Sequence, residues 1–123
     1  MNDSQSTDMI PFKRNPFEIR AEVAKQIMEQ YPDRYPLIVD FGHSNQNNIV
    51  IKKKKFLVPG NITLREFILI ARKMIKIERN DMTVQLSVTV AGHIVSQNNN
   101  ITDLYARFKD LDGFLYIIIS ANY

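Results

Sequence analysis

The run Phe114-Leu115-Tyr116-Ile117-Ile118-Ile119 is the most continuous apolar stretch in the chain. A strand with no polar alternation has no face to turn to water, so it reads as a central strand buried on both sides. Because it comes last, the earlier strands must be arranged to leave its place open mid-sheet. Residues 83–90 alternate Val84, Leu86, Val88 and Val90 with Gln85, Ser87 and Thr89, the pattern of a half-buried strand. Residues 36–41, with Leu37, Ile38, Val39 and Phe41, read as the first strand, and Pro36 is tolerable at its start. Residues 49–58 read as the second. The polar loop 42–48 joins these two, so they pair antiparallel.

Helices fill the gaps. Residues 10–14 read as a short helical turn. Asn15-Pro16-Phe17-Glu18 is a start signal, with Asn15 as cap and Pro16 at the first helical position. Phe17, Ala21, Ala24, Ile27 and Met28 then form one apolar stripe up to about Gln30, and Pro32 stops the helix. Thr63-Leu64-Arg65-Glu66 has capping-box spacing. The helix it opens carries Leu64, Phe67, Ile68, Ile70, Ala71, Met74 and Ile75 on one side. Arg65, Arg72, Lys73, Lys76 and Arg79 lie on the other, before a turn at Asn80-Asp81. Ala91-Gly92-His93 turns the chain, and Ile94-Val95 reads as a short return strand. Asn100, with Asp103 three residues on, caps a last helix built on Ile101, Leu104, Tyr105 and Phe108. Phe17, Phe67, Phe108 and Tyr116 are all expected to pack in the core.

The element order places antiparallel hairpins first and last with a helix crossing between them, and the final strand parallel to the first. This is an α+β, ubiquitin-like β-grasp with two additional N-terminal helices. Residues 1–9 are expected to be a flexible tail. Residues 10–123 are expected to be a single domain, of which 10–30 are the helical extension.

The chain has 123 residues, 45% hydrophobic and 24% charged, as in an ordinary soluble domain. No apolar run approaches the roughly 20 residues of a membrane-spanning helix, and no secretory signal is visible, so the default location is the cytosol. There is no cysteine, which excludes disulfides and thiolate chemistry. His43 and His93 alone do not suggest a metal site, and no cofactor is expected. No catalytic triad, phosphate loop or pair of catalytic carboxylates is visible, so an enzyme is not expected. Charge is uneven: residues 1–79 hold 14 Lys and Arg against 9 Asp and Glu, whereas residues 80–123 hold 2 against 4. The basic part favours an acidic partner.

That basic character peaks in Lys52-Lys53-Lys54-Lys55-Phe56-Leu57-Val58-Pro59. Lysine is what natural sheets place on exposed edges, and an exposed edge can accept a partner's backbone. Side chains alternate along a strand, so Lys53, Lys55 and Leu57 point one way and Lys54, Phe56 and Val58 the other. Lys52 and Lys54 are expected simply to be solvated.

Three motifs together carry a resemblance: Tyr31-Pro32-Asp33-Arg34-Tyr35-Pro36, Lys53-Lys54-Lys55-Phe56-Leu57-Val58-Pro59 and Asp112-Gly113-Phe114-Leu115-Tyr116. From about residue 12 onward the chain resembles the autophagy ubiquitin-like modifiers, the GABARAP and microtubule-associated light-chain group. The resemblance implies a non-enzymatic, monomeric adaptor. Such an adaptor binds aromatic-x-x-aliphatic motifs of cargo receptors and autophagy proteins by strand addition. It also implies an aromatic-anchor pocket of Ile27, Pro36, Ile38, Lys55, Leu57 and Phe114. An aliphatic-anchor pocket would use Phe56, Val58, Pro59, Phe67 and Ile70. Lys53, Lys55 and Lys73 would attract acidic flanks. Val23 stands where the family usually has an acid at the mouth of the aromatic pocket, and Met74 where it usually has an arginine. The family meets its conjugation machinery, and attaches to phosphatidylethanolamine of the autophagosome membrane, through a C-terminal glycine. Tyr123 resembles the aromatic residue before that glycine, and conjugation would need a glycine beyond it. The alternative is a basic microtubule- or nucleic-acid-binding domain. Its nucleic-acid form is disfavoured because no aromatic platform accompanies the lysines.

Overall fold

The structure, a computed structural model, describes residues 7, 10–41, 50, 51, 53–76 and 85–122. Expectations for the loop 42–48 with His43, for Lys52, for the turn Asn80-Asp81, for Tyr123 and for all of the tail but Thr7 lie outside the described residues.

A 3₁₀ turn, Pro11–Arg14, precedes helix α1, Phe17–Gln30. Then come β1 (Arg34–Phe41), β2 (Val50–Ile51), β3 (Lys55–Pro59), α2 (Leu64–Arg72) and β4 (Ile75–Lys76). They are followed by β5 (Gln85–Val90), α3 (Ile101–Phe108) and β6 (Leu115–Asn122). The main sheet has the order β3-β1-β6-β5. β1 runs antiparallel to β3 and parallel to β6, and β5 is antiparallel to β6. This is a mixed sheet in which the last strand lies beside the first, the ubiquitin-like arrangement expected.

Alternation along β1 and β6 builds two cores. Leu37, Val39, Leu115, Ile117 and Ile119 meet Leu64, Phe67 and Ala71 of α2 and Ile101, Leu104 and Tyr105 of α3. Ile38, Tyr116 and Ile118 face the other way, onto Ile10, Ala24 and Phe114. The N-terminal turn and α1 therefore cover the second face of β6, which is why that strand can afford no polar alternation.

Several local expectations are corrected. The strand read at 49–58 is broken. Val39 N–H still donates to the Lys54 carbonyl at 2.8 Å, but beyond it the chain leaves the main sheet, and Val50–Ile51 pairs with Ile75–Lys76. The second helix stops at Arg72 rather than running through Ile75. The N–H groups of Lys73 and Met74 close back on Ile70 and Ala71, a tightened last turn. Pairing with Ile51 then draws the β-branched Ile75 into β4, so a tertiary contact overrides the helical period. Met74 thus sits in a turn rather than in the helix, and it packs on the main core as its place on the apolar side implied.

Ile94-Val95 forms no strand. His93 alone bridges to Val90, after Ala91 and Gly92 turn the chain with φ of 50° and 82°. Asn15 does not cap α1. Pro16 holds that position, and the Asn15 amide donates to the Phe12 carbonyl. Asn100 holds the N-cap of α3 but makes no side-chain capping bond. Thr63 and Glu66 form the full capping box. Phe17 is 43% exposed, so it is not a core residue. Lys54 is not merely solvated: its ammonium lies 3.2 Å from Asp40 Oδ2.

Candidate functional site

Strand β3 is an edge of the main sheet. Its register sets Pro36 opposite Leu57, Leu37 opposite Phe56 and Ile38 opposite Lys55. Lys55 and Leu57 therefore share the α1 side of the sheet with Pro36 and Ile38, whereas Phe56 and Val58 enter the main core. Between this side of β3 and α1 lies a cleft of about 310 Å³. Ile27, Pro36, Lys53, Lys55, Leu57 and Phe114 line it, with Leu37 and Phe56. A shallower hollow of about 440 Å³, among Ala21, Met28, Tyr105 and Leu111, shares no residue with it.

Of the residues expected at an aromatic-anchor pocket, Ile27, Pro36, Lys55, Leu57 and Phe114 come together here. Ile38 lies beneath them in the second core. Of the aliphatic set, Phe56, Val58 and Phe67 are buried, the rings of Phe56 and Phe67 meeting edge-on at 5.3 Å. Pro59 is half-buried, and Ile70 is exposed on α2. Lys53 joins the first cleft, with its ammonium 5.1 Å from the Phe56 ring centre. Lys73 is exposed at the end of α2 and is not part of that lining. Val23 is half-buried against the Ile10–Phe114 cluster, so its apolar side chain has a packing role.

The α1 wall is fixed by a polar knot that has no periodic signature in the sequence. Asp112, 2% exposed, receives the Arg20 guanidinium at 2.7 Å and the Tyr116 hydroxyl at 2.5 Å on Oδ2, and the Phe114 N–H at 2.8 Å on Oδ1. Lys13 lies 3.3 Å from Asp110 and 4.4 Å above the Tyr116 ring. Burial pushes the Tyr116 phenol up, and the hydrogen bond donated to Asp112 adds to the effect. The bond to Tyr116 holds the Arg20 guanidinium above its ordinary range, against the opposing effect of burial. Burial alone would raise the Asp110 carboxyl, but the Asp112 N–H and Lys13 outweigh it and leave it below its ordinary value. Phe12, Lys13, Arg20 and Asp110 were not singled out by motif or spacing. Asp112 was visible only as part of a motif. Arg20 meets Asp112 across 92 residues, and only the fold brings them together.

Among the described residues no group of acids and histidines could hold a metal, and no helix is long and apolar enough to cross a membrane. A mixed sheet with its last strand parallel to its first defines a ubiquitin-like β-grasp protein, and a basic, apolar-lined cleft runs along one edge of it. Residues 19–123 match the family described as autophagy protein Atg8 ubiquitin like. Autophagy-related protein 8a of Arabidopsis thaliana is 36% identical over 109 residues, 88% of this chain and 85% of that one. Autophagy-related protein 8 of Dictyostelium discoideum is 37% identical over 108 residues, 88% and 86%. The crystal structure of Trypanosoma brucei ATG8 superposes with a TM-score of 0.79 at 28% identity, covering 91% of this chain and 94% of that one. Plasmodium falciparum Atg8 in complex with a Plasmodium falciparum Atg3 peptide gives 0.70 at 29% identity, covering 88% and 92%. The chain belongs to the Atg8 family of autophagy ubiquitin-like modifiers.

Proposed function

We propose that the chain is a non-enzymatic autophagy adaptor that takes up aromatic-x-x-aliphatic motifs along β3. The cleft between β3 and α1 carries this reading, because it joins an edge strand to an apolar hollow with two cations at its rim. The partner's backbone extends the sheet, and its aromatic anchor enters among Ile27, Pro36, Leu57 and Phe114. Its aliphatic anchor rests beside Ile70 and Pro59 over the floor of Phe56 and Phe67. Lys53 and Lys55 speed encounter and select acidic flanks. That the Plasmodium falciparum neighbour is in complex with an Atg3 peptide supports peptide binding by this chain and a partnership with conjugation machinery. In this role the protein works in the cytoplasm and at the autophagosome membrane, where it recruits cargo receptors. A nucleic-acid role is less well supported, since Lys53 and Lys55 flank an apolar cleft rather than a stacking platform.

Titration calorimetry with acid-flanked Trp-x-x-Leu peptides tests the proposal. Micromolar binding that is lost in Leu57→Asp, with unchanged circular dichroism, is the expected outcome. Absence of heat with wild-type protein across several such peptides overturns it.

A further inference from the structure

The ammonium of Lys55 lies 4.9 Å from the centre of the Phe12 ring. Phe12 belongs to neither β3 nor α1. It sits on the Pro11–Arg14 turn, half-buried, with its edge against the Phe114 ring at 5.1 Å and 78°. Phe114 in turn lines the cleft. Each of the three described lysines before Phe56 has a different partner. Lys53 lies over Phe56, Lys54 pairs with Asp40, and Lys55 lies over a ring supplied from outside the sheet.

The turn that carries Phe12 is held firmly. Ile10 is 2% exposed, the Asn15 amide donates to the Phe12 carbonyl, and the Lys13 ammonium reaches Thr7 Oγ1 at 2.7 Å and Asp110 at 3.3 Å. The ring is thus a fixed object beside a flexible lysine. An exposed lysine ordinarily loses rotamer freedom when it pairs with a carboxylate. Attraction to the ring face removes part of that freedom in advance and leaves ammonium N–H groups turned from the ring to meet an acid.

We infer that Phe12 is a specificity-determining residue of the cleft: its ring seats the Lys55 ammonium and so sets the preference for an acidic residue beside the partner's aromatic anchor. This rests on the peptide-binding reading of the cleft. Phe12 acts through Lys55 and is a positioning residue.

Titration calorimetry at low salt with the synthetic peptides Asp-Asp-Trp-Thr-Thr-Leu and Asn-Asn-Trp-Thr-Thr-Leu provides the test. Wild-type protein is expected to prefer the acidic peptide. Phe12→Leu is expected to reduce that preference by about three- to fivefold, and Phe12→Tyr to retain it. In a Lys55→Met background, Phe12→Leu is expected to leave the ratio of the two affinities unchanged. Phe12→Met serves in its place should Phe12→Leu fail to fold, as judged by thermal melting. An equal loss of affinity for both peptides means that Phe12 only packs, which overturns the inference and leaves the cleft reading standing. A wild-type protein that binds both peptides alike also overturns it. If neither peptide binds, the cleft reading and the inference fall together.

Discussion

Arg20 Nη1 and Asp112 Oδ2 lie 2.7 Å apart, and the Asp112 side chain is fully shielded from solvent. The pair clips α1 to the turn before β6, on the side of the sheet where the cleft lies. Removing Asp112 leaves the Arg20 guanidinium with the more distant Asp110 carboxylate, 4.0 Å away, and strips the Tyr116 hydroxyl and the buried Phe114 N–H of their acceptor. Asp112→Ala is therefore expected to lower stability by about 3 kcal/mol, read as a shift of the urea midpoint at unchanged slope.

Both ends of the pH scale should weaken the knot and the Tyr105 hydroxyl bonded beside it to the Gly113 carbonyl. The folded Asp110 carboxyl lies below its ordinary 3.8, so the unfolded chain binds that proton more readily. Its contribution is whole above pH 3.8 and is lost as pH falls through the lower folded value. Burial raises the phenols of Tyr105 and Tyr116, so theirs is whole below pH 10.0 and is lost as pH rises through the folded values. Urea midpoints measured against pH should fall at each end. Asp110→Asn is expected to flatten the acid limb and Tyr116→Phe the alkaline one.

Neighbouring lysines should behave differently. Lys53 lines the cleft, whereas Lys54 is turned to Asp40. Lys53→Ala is expected to weaken binding of an acid-flanked peptide about two- to fivefold and to reduce the salt dependence of its on-rate. Lys54→Ala should leave both unchanged. Surface plasmon resonance at two ionic strengths separates the two outcomes, and equal effects would count against the register described.

Gly60 is needed for space. A Cβ there would come within 2.0 Å of Thr102 Oγ1 and 2.4 Å of the Tyr35 ring. Gly60→Ala is expected to cost about 1–3 kcal/mol, visible as a lower thermal midpoint.

Most of the fold was legible because it follows from periodicity. The unbroken run at 114–119 placed β6 mid-sheet, and Thr63 with Glu66 marked the start of α2. The breaks were not legible. Nothing local tells Ile75 to leave a helix, since its partner Ile51 is distant in sequence. The cleft side of β3 could be read from alternation alone, which is why Lys53, Lys55 and Leu57 fall together. Ile38 shares the face of Lys55 but is buried in the second core, a depth that alternation does not report. Phe12 gave no signal, because a ring in a short turn has no period that says which side chain it meets.

β3 offers only the five residues Lys55–Pro59: ahead of it the chain belongs to the separate β2–β4 pair, and it closes on a proline that lacks an N–H. At about 3.4 Å per residue this ladder is roughly 17 Å long. A tetrapeptide can pair along it, but the six or seven residues of a cross-β segment cannot. A short edge strand flanked by lysines is the form in which natural sheets keep an open hydrogen-bonding edge without inviting edge-to-edge pairing.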